Sequence, residues 1–128
     1  MQLQALSPIL WTKNLQETIA FYESVLGFTS RSNFPNFAAV CRDNAEIMFV
    51  VPTGEPGDED FFPRPLLTGS IYIFTQDVDE LWELVKDKAT IKSVLCDREY
   101  LMRDFSITDN NGYEIVFGED ISNRDAKH

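Results

Sequence analysis

The stretch Met102-Arg-Asp-Phe-Ser-Ile-Thr-Asp-Asn-Asn-Gly-Tyr-Glu-Ile-Val-Phe-Gly-Glu119 decides the fold. Phe105 and Ile107 alternate with Ser106 and Thr108, the period-2 pattern of a half-buried strand. Asp109-Asn-Asn-Gly112 then turns the chain, because Asn and Gly tolerate positive φ. Tyr113 to Phe117 resumes as a second β-rich run. The hexad Gly-Tyr-Glu-Ile-Val-Phe (112–117) resembles Asn-Ala-Glu-Ile-Met-Phe (44–49), 68 residues earlier. Such self-similarity signals an internal repeat.

Working outward, the same order of elements reads twice. Leu6–Thr12 is a first strand, loosened by Pro8. Asn14 is a good N-cap with Glu17 three residues on, and Leu15, Ile19, Tyr22 and Leu26 recur at helical spacing. A helix over 15–25 therefore ends at Gly27. Strands follow at Phe28–Asn33, Phe37–Arg42 and Ala45–Val51. Residues 52–67 are rich in Pro, Gly and acid, hence a long loop or linker. Phe61 and Phe62 within it are expected to tuck into a core or interface, or to cover a ligand. A strand at Thr68–Thr75, a helix at Val78–Lys88 capped by Asp77, and strands at Ile91–Cys96 and Met102–Thr108 lead back to the starting stretch. Ser7, Leu10, Trp11, Thr12, Asn14, Leu15 and Glu17 match Ser70, Ile73, Phe74, Thr75, Asp77, Val78 and Glu80 at a separation of 63. The expectation is an α+β chain of two βαβββ modules in one domain. Module one covers about 5–52, the linker about 53–67, module two about 68–118 and a tail 119–128.

Composition sets the bounds of function. A chain of 128 residues with 44% hydrophobic content can bury a core without staples. No apolar run approaches the ~18–20 residues of a membrane span. The start lacks the basic and apolar regions of a signal peptide, so the expected location is cytoplasmic. Cys41 and Cys96 are in no metal-ligand spacing and are expected to be reduced, partly buried thiols. The net charge of −10 repels phosphate backbones and anionic lipid, which argues against nucleic acid and membrane partners. That charge serves plain solubility or selects a cationic ligand. The only histidine is His128, the last residue, so histidine triads, 2-His-1-carboxylate iron sites and most catalytic zinc sites are excluded.

The motif Leu-Ser-Pro-Ile-Leu-Trp-Thr-Lys-Asn-Leu (6–15), with Phe21-Tyr22 and Leu26-Gly-Phe28, resembles the opening of vicinal-oxygen-chelate proteins. This superfamily includes glyoxalase I, extradiol dioxygenases and bleomycin-resistance proteins. Tyr100 to Tyr113 with Phe117-Gly-Glu119 is similar to the closing motif, nearest the bleomycin-resistance branch. The resemblance covers almost the whole chain. It implies paired βαβββ modules curled into half-barrels, usually as a homodimer with sites in the barrel cavities. It also implies metal-ligand positions, which fall here at Ser7, Met48, Ser70 and Val116. Two serines, a methionine and a valine cannot hold a hard divalent ion, so no metal and no cofactor are expected. Glu114 stands two residues before the last of these positions.

If those positions face the cavity, strand parity places Trp11, Glu46, Met48, Tyr72, Phe74 and Glu114 with them. The opposite set, Leu10, Ile47, Phe49, Ile71, Ile73, Ile115 and Phe117, suits packing beneath the helices. Aromatic faces beside acids suit a bulky planar or cationic guest through cation–π attraction and charge pairing. Equally, the aromatics could fill the barrel while Glu46 and Glu114 sit at its rim. A metal-free catalyst would need Glu46 or Glu114 as a base of raised pKa, with Tyr72 as proton donor. Asp104 with Arg103 reads as a structural pair at a strand edge. No catalytic residue is assigned, and the expected function is binding or sequestration of a small molecule in a bleomycin-resistance-like homodimer. The alternative is a lyase, isomerase or dioxygenase of the superfamily with an atypical site.

Overall fold

A computed structural model describes residues 1–31, 34–52 and 67–125. The chain divides into two compact units, Met1–Pro65 and Leu66–His128, each with its own open four-stranded mixed sheet. Phe61, Phe62, His128 and nearly all of the expected linker lie outside the described residues.

The first unit runs β1 (Ile9–Trp11), α1 (Leu15–Ser24), β2 (Thr29–Ser30), β3 (Phe37–Arg42) and β4 (Ala45–Val50). The sheet order is β1-β4-β3-β2, with β1 parallel to β4 and the other pairs antiparallel. Strand β1 is shorter than the sequence suggests. Pro8 has no N–H for the ladder, and its carbonyl alone accepts from the Met48 N–H at 2.9 Å. Asn14 caps α1 as expected, its Oδ1 accepting from the Glu17 N–H at 3.0 Å. At the other end Gly27 takes φ 72, and the Phe28 N–H returns to the Tyr22 carbonyl at 2.9 Å. Tyr22, fully buried, meets Phe28 edge-on at 5.5 Å and Phe49 at 5.3 Å. Leu10, Ile47 and Phe49 thus form the core face, as parity requires.

The second unit repeats the plan. It runs β5 (Ile71–Phe74), α2 (Val78–Val85), β6 (Thr90–Asp97), β7 (Met102–Thr108) and β8 (Glu114–Asp120). Its order, β5-β8-β7-β6 with β5 parallel to β8, is that of the first unit element for element. The starting stretch of the sequence is the β7–β8 hairpin. Asp109 Oδ1 accepts from the N–H groups of Asn111 and Tyr113, both at 2.9 Å, while Gly112 supplies φ 95. Trp82 of α2 lies 5.1 Å from the Phe105 ring, which sits 5.5 Å from Phe117. Ile107 and Ile115 are fully buried in the same core.

Three local expectations are corrected. Asp77 makes no side-chain cap; Glu119, on β8, accepts from the Val78 N–H at 3.1 Å instead. A short helix, α3 (Ser122–Asp125), occupies the expected tail. Cys41 is buried, but Cys96 is exposed near the end of β6, after two shifts of register with β7 between Ile91 and Cys96.

Candidate functional site

Opposite the helix-covered face, each sheet has an outer face. On the second sheet this face carries Tyr72 and Phe74 of β5, Glu114, Val116 and Gly118 of β8, and Asp104 and Ser106 of β7, by register and parity. The expected grouping of Tyr72, Phe74 and Glu114 on one face is therefore observed within this unit. The two rings lie 5.2 Å apart at 54°, and Phe74 is 75% exposed.

The centre of that face is a residue the sequence reading assigned elsewhere. Asp104 is only 3% exposed. Its partner is Arg98, not Arg103: Arg98 Nε donates to Oδ1 at 2.7 Å, while Tyr72 and Tyr100 each donate to Oδ2, at 2.9 and 2.8 Å. Arg98 also donates to Ser93 Oγ at 2.9 Å and to the Val94 carbonyl at 3.0 Å. Arg103 binds Asp79 and Asp97 instead. The reason is the pleat: consecutive strand residues point to opposite faces, so neighbours in sequence cannot share a partner site.

Electrostatics follow from this packing. Burial pushes the Asp104 carboxyl up, but hydrogen bonds from Arg98, Tyr100 and Tyr72 outweigh it and leave it below the usual aspartate value. Burial and then the Asp104 hydrogen bond hold the Tyr72 hydroxyl above the ordinary tyrosine value. Tyr72 is thus a poorer proton donor than a free phenol, contrary to the role a metal-free catalyst would need. Glu114 pairs with Lys92 at 3.4 Å.

On the first sheet, Trp11, Met48 and Glu46 share one face, since Ile9 registers with Met48, Trp11 with Val50, and Cys41 with Glu46. Trp11 is 37% exposed. Ser7 Oγ donates to Glu46 Oε1 at 2.8 Å, and Cys41 Sγ donates to Oε2 at 3.4 Å. The Ser7 bond first, then Cys41, lower the Glu46 pKa. A base of raised pKa is the opposite of what this carboxylate has become.

A model of the Glyoxalase/Bleomycin resistance protein/Dioxygenase superfamily matches residues 4–117. The chain belongs to this superfamily. Solved structures agree in fold. A glyoxalase/bleomycin resistance protein/dioxygenase from Alicyclobacillus acidocaldarius superposes with TM-score 0.73 at 17% identity, covering 94% of each chain. An integron cassette protein from V. cholerae gives 0.69 at 21%, covering 93% of this chain and 97% of that one. A lactoylglutathione lyase from Agrobacterium tumefaciens gives 0.65 at 17%, covering 93% and 96%. Identities this low carry the fold and no more. No curated protein sequence matches the chain.

The resemblance implies divalent-metal ligand positions in the superfamily's enzymes, and the residues at those positions here do not fit such an ion. Of the carried-over positions, Ser7 is engaged with Glu46, Met48 offers a thioether, Ser70 a lone hydroxyl and Val116 nothing. Among the described residues no group of three or more His, Cys, Asp or Glu side chains could hold a metal ion. Arg98, Tyr100 and Gly118, absent from the predicted site, belong to the second sheet's outer face. Arg98 and Tyr100 lie in the β6–β7 connection, which strand parity does not reach.

Proposed function

We propose that this superfamily member binds a small molecule, bulky and aromatic or cationic, without a metal ion and as a homodimer. The observation that carries the reading is the exposed Phe74 ring tilted against Tyr72, itself anchored to a buried carboxylate. A large apolar ring left in water beside a rigid polar network is what ligand faces combine. Trp11 gives the first sheet a similar aromatic feature beside Glu46 and Met48. Cation–π attraction to such rings contributes roughly 0.5–2 kcal/mol each. The charge of −10 adds a long-range pull on cations.

Catalysis finds less support. Glu46 and Asp104 are held ionised by hydrogen-bond donors, and burial pushes the pKa of Cys41, the thiol beside Glu46, upward, which keeps it in the unreactive thiol form. The homodimer follows the superfamily's common habit.

Calorimetric titration of Trp11→Ala, Phe74→Ala and Glu114→Gln with a ligand found by thermal-shift screening of planar amines tests the reading. Weakening of about tenfold in at least two variants is expected. Unchanged affinity in all three overturns the assignment of these residues.

A further inference from the structure

The Asp104 carboxylate fixes the direction of two hydroxyls. Arg98, permanently charged, donates to Oδ1 and keeps Asp104 ionised. An ionised carboxylate only accepts, so Tyr72 and Tyr100 each commit their single O–H to Oδ2. What each phenol oxygen has left is lone pairs. The pair Arg98–Asp104 is neutral as a unit, and Tyr100, 61% exposed, and Phe74 supply aromatic surface around it. Independently, Ser106, two residues along β7 on the same face, is 1% exposed, and its Oγ has no hydrogen-bond partner among the described residues. A buried hydroxyl without a partner is unfavourable, and it marks the row beside Asp104 as covered rather than open to a guest.

We propose that this corner of the second sheet is a subsite for the nitrogen-bearing end of a small molecule: a protonated amine on an aromatic body. Tyr72 and Tyr100 accept its N–H groups, and Phe74 lies against its ring. This rests on the small-molecule reading above and adds a polarity to it. An anionic or acceptor-only guest meets lone pairs here and is disfavoured. Asp104 is a positioning residue, acting through the two tyrosines.

The test is a ¹H–¹⁵N NMR titration of the full chain with three probes sharing one ring: benzylamine, benzyl alcohol and benzoate, at pH 7. Benzylamine is expected to shift the amides of Tyr72, Phe74, Tyr100 and Gly118 at several-fold lower concentration than benzyl alcohol, with benzoate weakest. The double variant Tyr72→Phe/Tyr100→Phe keeps both rings and removes both acceptors, so the preference for benzylamine over benzyl alcohol should vanish. Asp104→Asn turns an NH₂ toward the tyrosines, frees their O–H groups to point outward, and should narrow or reverse the preference. Equal affinity for all three probes, or a preference that survives the double variant, overturns the proposal. Shifts confined to residues around Trp11 overturn the subsite but leave small-molecule binding standing. If no probe shifts any amide while metal-free bleomycin still quenches tryptophan emission, the subsite falls alone. If neither responds, both readings fall.

Discussion

The Tyr72 side chain crosses strand β8 over Gly118 to reach Asp104 on β7. Tyr72 registers with Val116 and Asp104 with Gly118, so the tyrosine leans by one row across the sheet. A Cβ at position 118 would overlap the Tyr72 hydroxyl and stand 2.6 Å from its Cζ. The glycine is required here for space, since its φ is not among the positive values.

Gly118→Ala therefore expels the Tyr72 hydroxyl from Asp104. The tyrosine can swing away, so the cost is that of the lost hydrogen bond plus some repacking, about 1–3 kcal/mol. Urea denaturation of Gly118→Ala, Tyr72→Ala and the double variant checks it. The double variant should cost less than the two single ones together, because both remove the same contact. Strict additivity would show that the crossing is not where the alanine acts.

Acid stability depends on Asp104. Its folded pKa lies below the unfolded value. Its contribution is therefore complete above about pH 4 and is lost as pH falls through the folded pKa. Asp104→Asn should flatten the acid-side fall in stability relative to the parent. Asp104→Ala strands the largely covered Arg98 guanidinium and should cost ~3–5 kcal/mol at pH 7.

Alkaline stability depends on Tyr72, whose folded pKa is raised by burial first and by Asp104 second. The unfolded chain loses this proton near pH ~10. The contribution is thus full below that pH and disappears as pH climbs through the folded value. The Asp104 hydrogen bond raises Tyr100 as well, so ultraviolet titration should show a late tyrosine phase whose amplitude falls, without vanishing, in Tyr72→Phe.

Lys92 competes with any cationic guest for Glu114. The pair is 3.4 Å apart and Lys92 is largely in water, so breaking it costs little. Lys92→Ala should tighten binding of a cationic ligand a few-fold, with Glu114→Gln weakening it. No change in either, read by calorimetry at low salt, would remove Glu114 from the site.

Much of the fold was legible because local and global signals agree. The 63- and 68-residue offsets gave the doubled βαβββ plan, and period-2 alternation separated Ile107 and Ile115 from Ser106 and Glu114. Asn14 announced its cap, whereas the cap of α2 comes from Glu119, 41 residues away, and no local pattern reveals that. The outer-face grouping of Tyr72 with Phe74 also followed from parity. Asp104 was misjudged by pairing it with its neighbour in sequence, although alternation already placed Arg103 on the opposite face. Arg98 and Tyr100 approach Asp104 from a connection where the Leu101 backbone takes φ 64, and such a path has no periodicity to read.

We propose metal-free binding of a small molecule by the outer faces of these sheets. Its most direct measurement is a titration of intrinsic tryptophan emission with metal-free bleomycin in EDTA, at low and physiological salt. Trp82, packed on Phe105 on the core side, serves as the internal reference for Trp11. Saturable quenching that weakens with salt and disappears in Trp11→Phe is the predicted result. A flat titration in EDTA that becomes saturable only after a divalent metal is added would contradict it.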